Sequence, residues 1–193
     1  PSTNMRCDSC EFEWGSVPRD EVAARLGAAT AGLAERLTAT APDDLRRRPD
    51  PEVWSAIEYA CHVRDVLLVM RERVLLILRS SSPPVIAPMG RDERVVHDRY
   101  REQAPVDVSR QLLDAAAMLV FLFDGIDDEL WDLTCIYGYP EPAERTLAWV
   151  AQHVVHEAEH HLTDLVESLP KLQTAGIRTV ATDSLPRPLT ETS

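Results

Sequence analysis

Four apolar stripes of helical period, each cut off by proline or glycine, leave this chain few ways to fold. In the first, Val22, Leu26, Ala29, Leu33 and Leu37 recur every three or four residues, which lines one face of a helix. This segment is read as residues 16–40, with Ser16 as N-cap, Pro18 in the first turn, and Asp20 and Glu21 at the positive end of the dipole. Three prolines in 42–51 end it. A second helix, capped by Ser55 and running to residue 79, carries Val63, Val66, Leu67, Met70, Val74, Ile77 and Leu78. The serine- and proline-rich stretch 80–88 breaks the pattern, and 92–103 adds a short helix. The third long helix, 105–125, presents Leu112, Ala116, Leu119, Val120 and Phe123 and stops at Gly125. The fourth, 144–169, presents Leu147, Ala151, Val154, Ala158, Leu162, Leu165 and Leu169 ahead of Pro170.

Four such helices bury their stripes together most simply as an all-α, antiparallel four-helix bundle spanning 16–169. The reading places a flexible segment with a Cys7-x-x-Cys10 pair at 1–15 and a loose tail at 170–193. No convincing strand is seen. Only 7 glycines against 14 prolines, with 6% aromatics, argue against a β-sandwich.

The charge balance, 20 − 32 = −12, repels a phosphate backbone, so neither nucleic acid nor an anionic membrane is an expected partner. No apolar run reaches the roughly 18 residues a spanning helix needs. The amino end lacks a signal-peptide pattern, so a cytoplasmic location is expected. Four cysteines (Cys7, Cys10, Cys61 and Cys135) in 193 residues do not make a disulfide scaffold. Cys7-x-x-Cys10 is half of a zinc ribbon with no second half, which leaves a redox pair, a remnant, a site completed by a second chain, or a reduced, mobile end as readings. Dimerisation through the bundle surface is compatible with such helices.

Histidine carries the chemical signal. Four of six fall within nine residues: His153, His156, His160 and His161. His156 and His160 are one turn apart, the spacing by which two imidazoles on one helix grip one ion. The stretch 156–160 also satisfies the H-E-x-x-H pattern of zinc peptidases, with Glu157 as base. A peptidase would need a downstream ligand and a strand edge, and no histidine follows His161. Upstream, His62 is available as a third ligand. Glu58 and Asp65 share its helix face, where a carboxylate can hold a ligating imidazole's tautomer. Three protein ligands leave positions open for water or substrate.

The tryptophan–serine helix start at Trp54 and Ser55, His62 two turns on, and the histidine-rich last helix resemble the DinB/YfiT-like superfamily over residues 16–169. These are four-helix bundles that hold a divalent metal with one histidine of the second helix and two of the last. The resemblance implies His62, His156 and His160 as ligands of a divalent ion, with His153 and His161 as lining groups; the donor set suits zinc or nickel, and Glu157 is the candidate catalytic base. It also implies an enzyme acting on a small molecule, in the first reading an S-transferase using mycothiol or bacillithiol as cofactor. The alternatives are a tailoring lyase, isomerase or cyclase on the same site, and a non-catalytic metal-binding stress protein. The mycothiol-dependent maleylpyruvate isomerase of this superfamily has a Glu in place of one histidine and a further C-terminal domain. The three histidines expected here point away from it. Arg64, Arg145, Tyr137 and Tyr139 are candidates for the pocket wall.

Overall fold

The computed structural model describes residues 6–138 and 141–176. Its core is the expected bundle, built from α1 (Val22–Ala39), α3 (Ala56–Arg79), α5 (Pro105–Asp124) and α6 (Leu147–Gly176). Two short helices, α2 (Pro42–Arg46) and α4 (Arg91–His97), sit in the connections. α1 and α3 each pack against both α5 and α6. Consecutive long helices α1 and α3 therefore occupy diagonal corners, and α3 and α6 lie side by side. Leu26, Leu33, Leu67, Val74, Leu112, Leu119, Leu147 and Leu165 fill the centre with almost no exposed surface.

The helix starts explain where the frame is rigid. Ser55 and Glu58 form a reciprocal capping box at the head of α3, which satisfies two orphan N–H groups of its first turn. Glu58 is also held at both carboxylate oxygens by the Arg48 guanidinium, at 2.9 and 2.6 Å. α1 differs from the sequence reading. Its α-helical part begins at Val22 after a 3₁₀ turn at Arg19–Glu21, because the Ser16 hydroxyl donates to the Glu13 carbonyl instead of capping a helix.

A small sheet was not expected. β1 (Val85–Ile86), β2 (Thr134–Tyr137) and β3 (Ala143–Thr146) pair in the order β1-β2-β3, parallel then antiparallel. β3 claims Glu144 and Arg145, so α6 starts at Leu147. At its far end α6 continues past Pro170 to Gly176. The rest of the expected tail, 177–193, lies outside the described residues. Among the described residues no helix is long and apolar enough to cross a membrane.

Residues 6–15 fold back as a tight hairpin on α6. Arg6 pairs with Glu13, Phe12 is buried, and the Gly15 N–H donates to Gln152 Oε1 at 2.6 Å.

Candidate metal centre

The side-by-side packing of α3 and α6 brings His62 against Glu157 and His161, with the three donor atoms all within 4.8 Å of one another. His62 Nε2 stands 3.5 Å from Glu157 Oε2, and His161 Nε2 stands 3.6 Å from the same oxygen. The His62 and His161 rings meet edge to face, their centroids 4.9 Å apart. Trp54 abuts His62 and Tyr59 stacks on His161, which walls the cluster with aromatic surface. Behind His161, Asp164 Oδ2 accepts from Nδ1 at 2.9 Å. That bond turns Nε2 toward the centre of the cluster, the usual task of a carboxylate behind a metal-bound imidazole.

These distances suit an ion better than direct hydrogen bonds, which would be shorter. Two ligands each about 2.1 Å from a tetrahedral ion stand about 3.4 Å apart. His62 Nδ1 is buried with no hydrogen-bond partner. Glu58 is engaged by Arg48 and Ser55, and Asp65 by Arg64, Arg94 and Tyr100. Neither carboxylate steadies His62, contrary to the expectation from their shared face.

The electrostatics divide the three groups: Glu157 and His62 are held in their ligating forms, whereas His161 holds a proton that an ion would have to displace. Burial would push the Glu157 carboxyl up, but His156, His161 and His62 outweigh it and hold the group well below the ordinary carboxylate range. Burial pushes His62 down, which keeps it in the neutral, ligating form. Burial also opposes charge on His161, yet Asp164 and Glu157 lift it to about 9. His153, deep beside Tyr137 and Trp149, is pushed down to about 4 by burial.

The structure does not gather His62, His156 and His160. Successive helical residues point about 100° apart, and the face of α6 that meets α3 carries 157 and 161. Positions 156 and 160 look toward the N-terminal hairpin, where His156, His160, Cys7 and Cys10 form a second group that adjoins the first through Glu157, 3.6 Å from His156, and the neighbouring His160 and His161 rings. Glu157, expected as a base, and His161, expected as a lining group, both stand against His62. One signal for this phase was present: His161 is three residues after buried Ala158 and four before buried Leu165. Of the proposed wall residues, Arg64 is occupied by Asp65, Gln103 and Gln111. Arg145 stacks on Trp149, and Tyr137 packs on His153. Tyr139 lies outside the described residues.

The family model of the DinB superfamily matches residues 25–165, nearly the whole bundle including both faces of α6. The chain belongs to the DinB superfamily. YfiT from Bacillus subtilis, described as a probable metal-dependent hydrolase with an unusual four-helix bundle topology, superposes with a TM-score of 0.73. It is 16% identical, and the match covers 84% of this chain and 91% of YfiT. A mycothiol-dependent maleylpyruvate isomerase superposes at 0.64 with 12% identity, over 79% of this chain and 62% of the isomerase. At these identities the likeness speaks for the DinB fold. No curated protein matches the chain by sequence.

Proposed function

We propose that this DinB-superfamily chain is a metal-dependent enzyme that joins a low-molecular-weight thiol, such as mycothiol or bacillithiol, to a small electrophilic substrate. His62, Glu157 and His161 would hold one divalent ion, zinc or nickel. The observation that carries this reading is the inward-facing set of two imidazoles and one carboxylate from two adjacent helices. Three donors are one short of a closed tetrahedron, as catalytic sites require.

A divalent ion bound there would lower the pKa of a ligating thiol and supply a nucleophile near neutral pH. The protein's own residues do the rest. Asp164 fixes the His161 ring, and burial keeps His62 neutral. Glu157, ionised at any physiological pH, offsets one of the ion's charges. Trp54 and Tyr59 keep bulk water from one side of the cluster. The probable metal dependence named for YfiT supports a metal site, and the thiol dependence named for the isomerase supports a thiol partner.

A second reading is favoured by one observation. The cluster contains a carboxylate, the composition that family resemblance assigns to the isomerase. In that reading the thiol adds and leaves again, so it is used catalytically rather than consumed. The test loads the protein with zinc or nickel and follows mycothiol, bacillithiol, glutathione and cysteine against an electrophile panel. Expected is metal-dependent acceleration with one thiol, abolished in His62→Ala and His161→Ala. Thiol consumed one-for-one with product supports transfer; thiol recovered supports isomerisation. Full metal content in both variants, or no acceleration with any thiol, would overturn the proposal.

A further inference from the structure

The α6 face turned away from α3 carries a second set of donors. Cys7, Cys10, His156 and His160 offer two thiol sulfurs and two imidazole nitrogens, all within 4.8 Å of one another. Cys7 Sγ is 3.9 Å from His160 Nδ1. In a tetrahedral zinc site, with bonds of about 2.3 Å to sulfur and about 2.1 Å to nitrogen, donors stand roughly 3.4–3.8 Å apart. The four groups need only a small contraction to reach that geometry. Their spacings, C-x-x-C and H-x-x-x-H, are those of structural zinc sites, although here they lie at opposite ends of the chain.

The local backbone favours the same arrangement. The Cys7 N–H donates to the Phe12 carbonyl at 2.8 Å and the Glu11 N–H to the Cys7 carbonyl at 2.9 Å. This tight turn brings both sulfurs to one side. It forces Glu11 into the left-handed region, φ 60°, at a cost of about 1–2 kcal/mol for a residue with a Cβ. His156 is 93% buried, from its 7% exposure. Neither of its ring nitrogens has a hydrogen-bond partner; the Glu157 carboxylate stays 3.6 Å from Nδ1. Phe12 and Trp14 pack on this ring at 5.2 and 4.6 Å. Leaving a buried imidazole nitrogen without a bond is costly; an ion would satisfy one nitrogen, while Glu157 lies near Nδ1 at 3.6 Å.

We propose that Cys7, Cys10, His156 and His160 form a closed, structural zinc site that clamps the N-terminal hairpin onto α6. Its four donors are not those of the three-donor cluster, which it adjoins at Glu157, 3.6 Å from His156, and it leaves no position for substrate. Two thiolates and two neutral imidazoles bind the ion, and the two thiol protons pass to solvent.

The test reconstitutes the full chain with cobalt and, separately, measures zinc per chain. Cobalt bound by two sulfurs gives an intense sulfur-to-metal charge-transfer band in the near ultraviolet. Expected is that band in the wild type and in His62→Ala, and its loss in Cys10→Ser and His160→Ala. Cys10→Ser should also lose about one zinc per chain, the complement of one closed site, with helical circular dichroism unchanged. Should His160→Ala fail to fold, Cys10→Ser decides, since its side chain belongs to the hairpin. Wild-type zinc content in Cys10→Ser, absence of the band, or a Cys7–Cys10 disulfide in protein prepared aerobically with zinc would overturn the proposal. The band reports only sulfur-bound ion, so its outcome is independent of whether the three-donor cluster is catalytic.

Discussion

Asp164→Asn tests how the three-donor cluster is held. Asp164 Oδ2 lies 2.9 Å from His161 Nδ1 but 3.5 Å from His160 Nε2. The first distance is a charge-assisted hydrogen bond and the second is too long to be one. Such bonds contribute about 1.5–3 kcal/mol, and carboxylates behind ligating histidines are worth about 10–100-fold in metal affinity. The Asp164 side chain is 29% exposed, so water takes over part of its work, and asparagine still offers an oxygen. Both considerations point to the low end, about tenfold or 1.4 kcal/mol at the three-donor cluster. At the cysteine-containing site the expected change is under about threefold, because the bond to His160 is already missing. Competitive cobalt titration against a chelator reads both affinities at once, since only the second site shows sulfur charge transfer. Unchanged affinity at the first site, or a larger loss at the second, would refute the assignment of Asp164 as His161's brace.

Glu58→Ala removes the capping box and the buried end of the Arg48 pair. With Glu58 1% and Arg48 28% exposed, the guanidinium can rehydrate, so the expected loss is about 3 kcal/mol rather than the upper end for buried pairs. Arg48 and Ser55 overcome burial to lower the Glu58 pKa below 4.5. Its contribution is therefore present above that pH and disappears as pH falls through the folded value. Urea unfolding at pH 7 should separate wild type from variant, and the gap should narrow below about pH 4; a gap that widens in acid would contradict this. Leu119→Ala, at a fully buried position between helices, should cost about 2–5 kcal/mol. Phe121→Ser, 82% exposed two residues on, should stay within about 0.5 kcal/mol. Thermal melts of the pair check which face of α5 is buried.

The helices were legible where local chemistry and periodicity agree. Ser55 with Glu58, and Pro105 with Gly125, bracket α3 and α5 almost to the residue. Legibility fails where distant partners decide. Glu144 and Arg145 are adequate helix formers, yet β2 pairs with them and makes a strand. Strands of two and four residues leave no period to detect. The same limit applies to the metal centre. A run with histidines at 153, 156, 160 and 161 fixes several one-turn pairs but not which of them faces α3. That choice is made by the packing of Ala158 and Leu165 into the core. Cys7-x-x-Cys10 reads as half of a zinc ribbon, but the histidines that the fold sets beside it, His156 and His160, lie some 150 residues away and carry no spacing signal with it.

That separation has a consequence for synthesis. The hairpin at residues 6–15 is the first of the described segments to leave a ribosome, and its docking surface on α6 is the last. At roughly 5–20 residues per second, about 8–30 s pass before His160 follows Cys7. Throughout that interval two thiols travel on an undocked leader, open to oxidation or to capture by a passing ion. Among the described residues, the hairpin therefore cannot dock until nearly the whole bundle has been made.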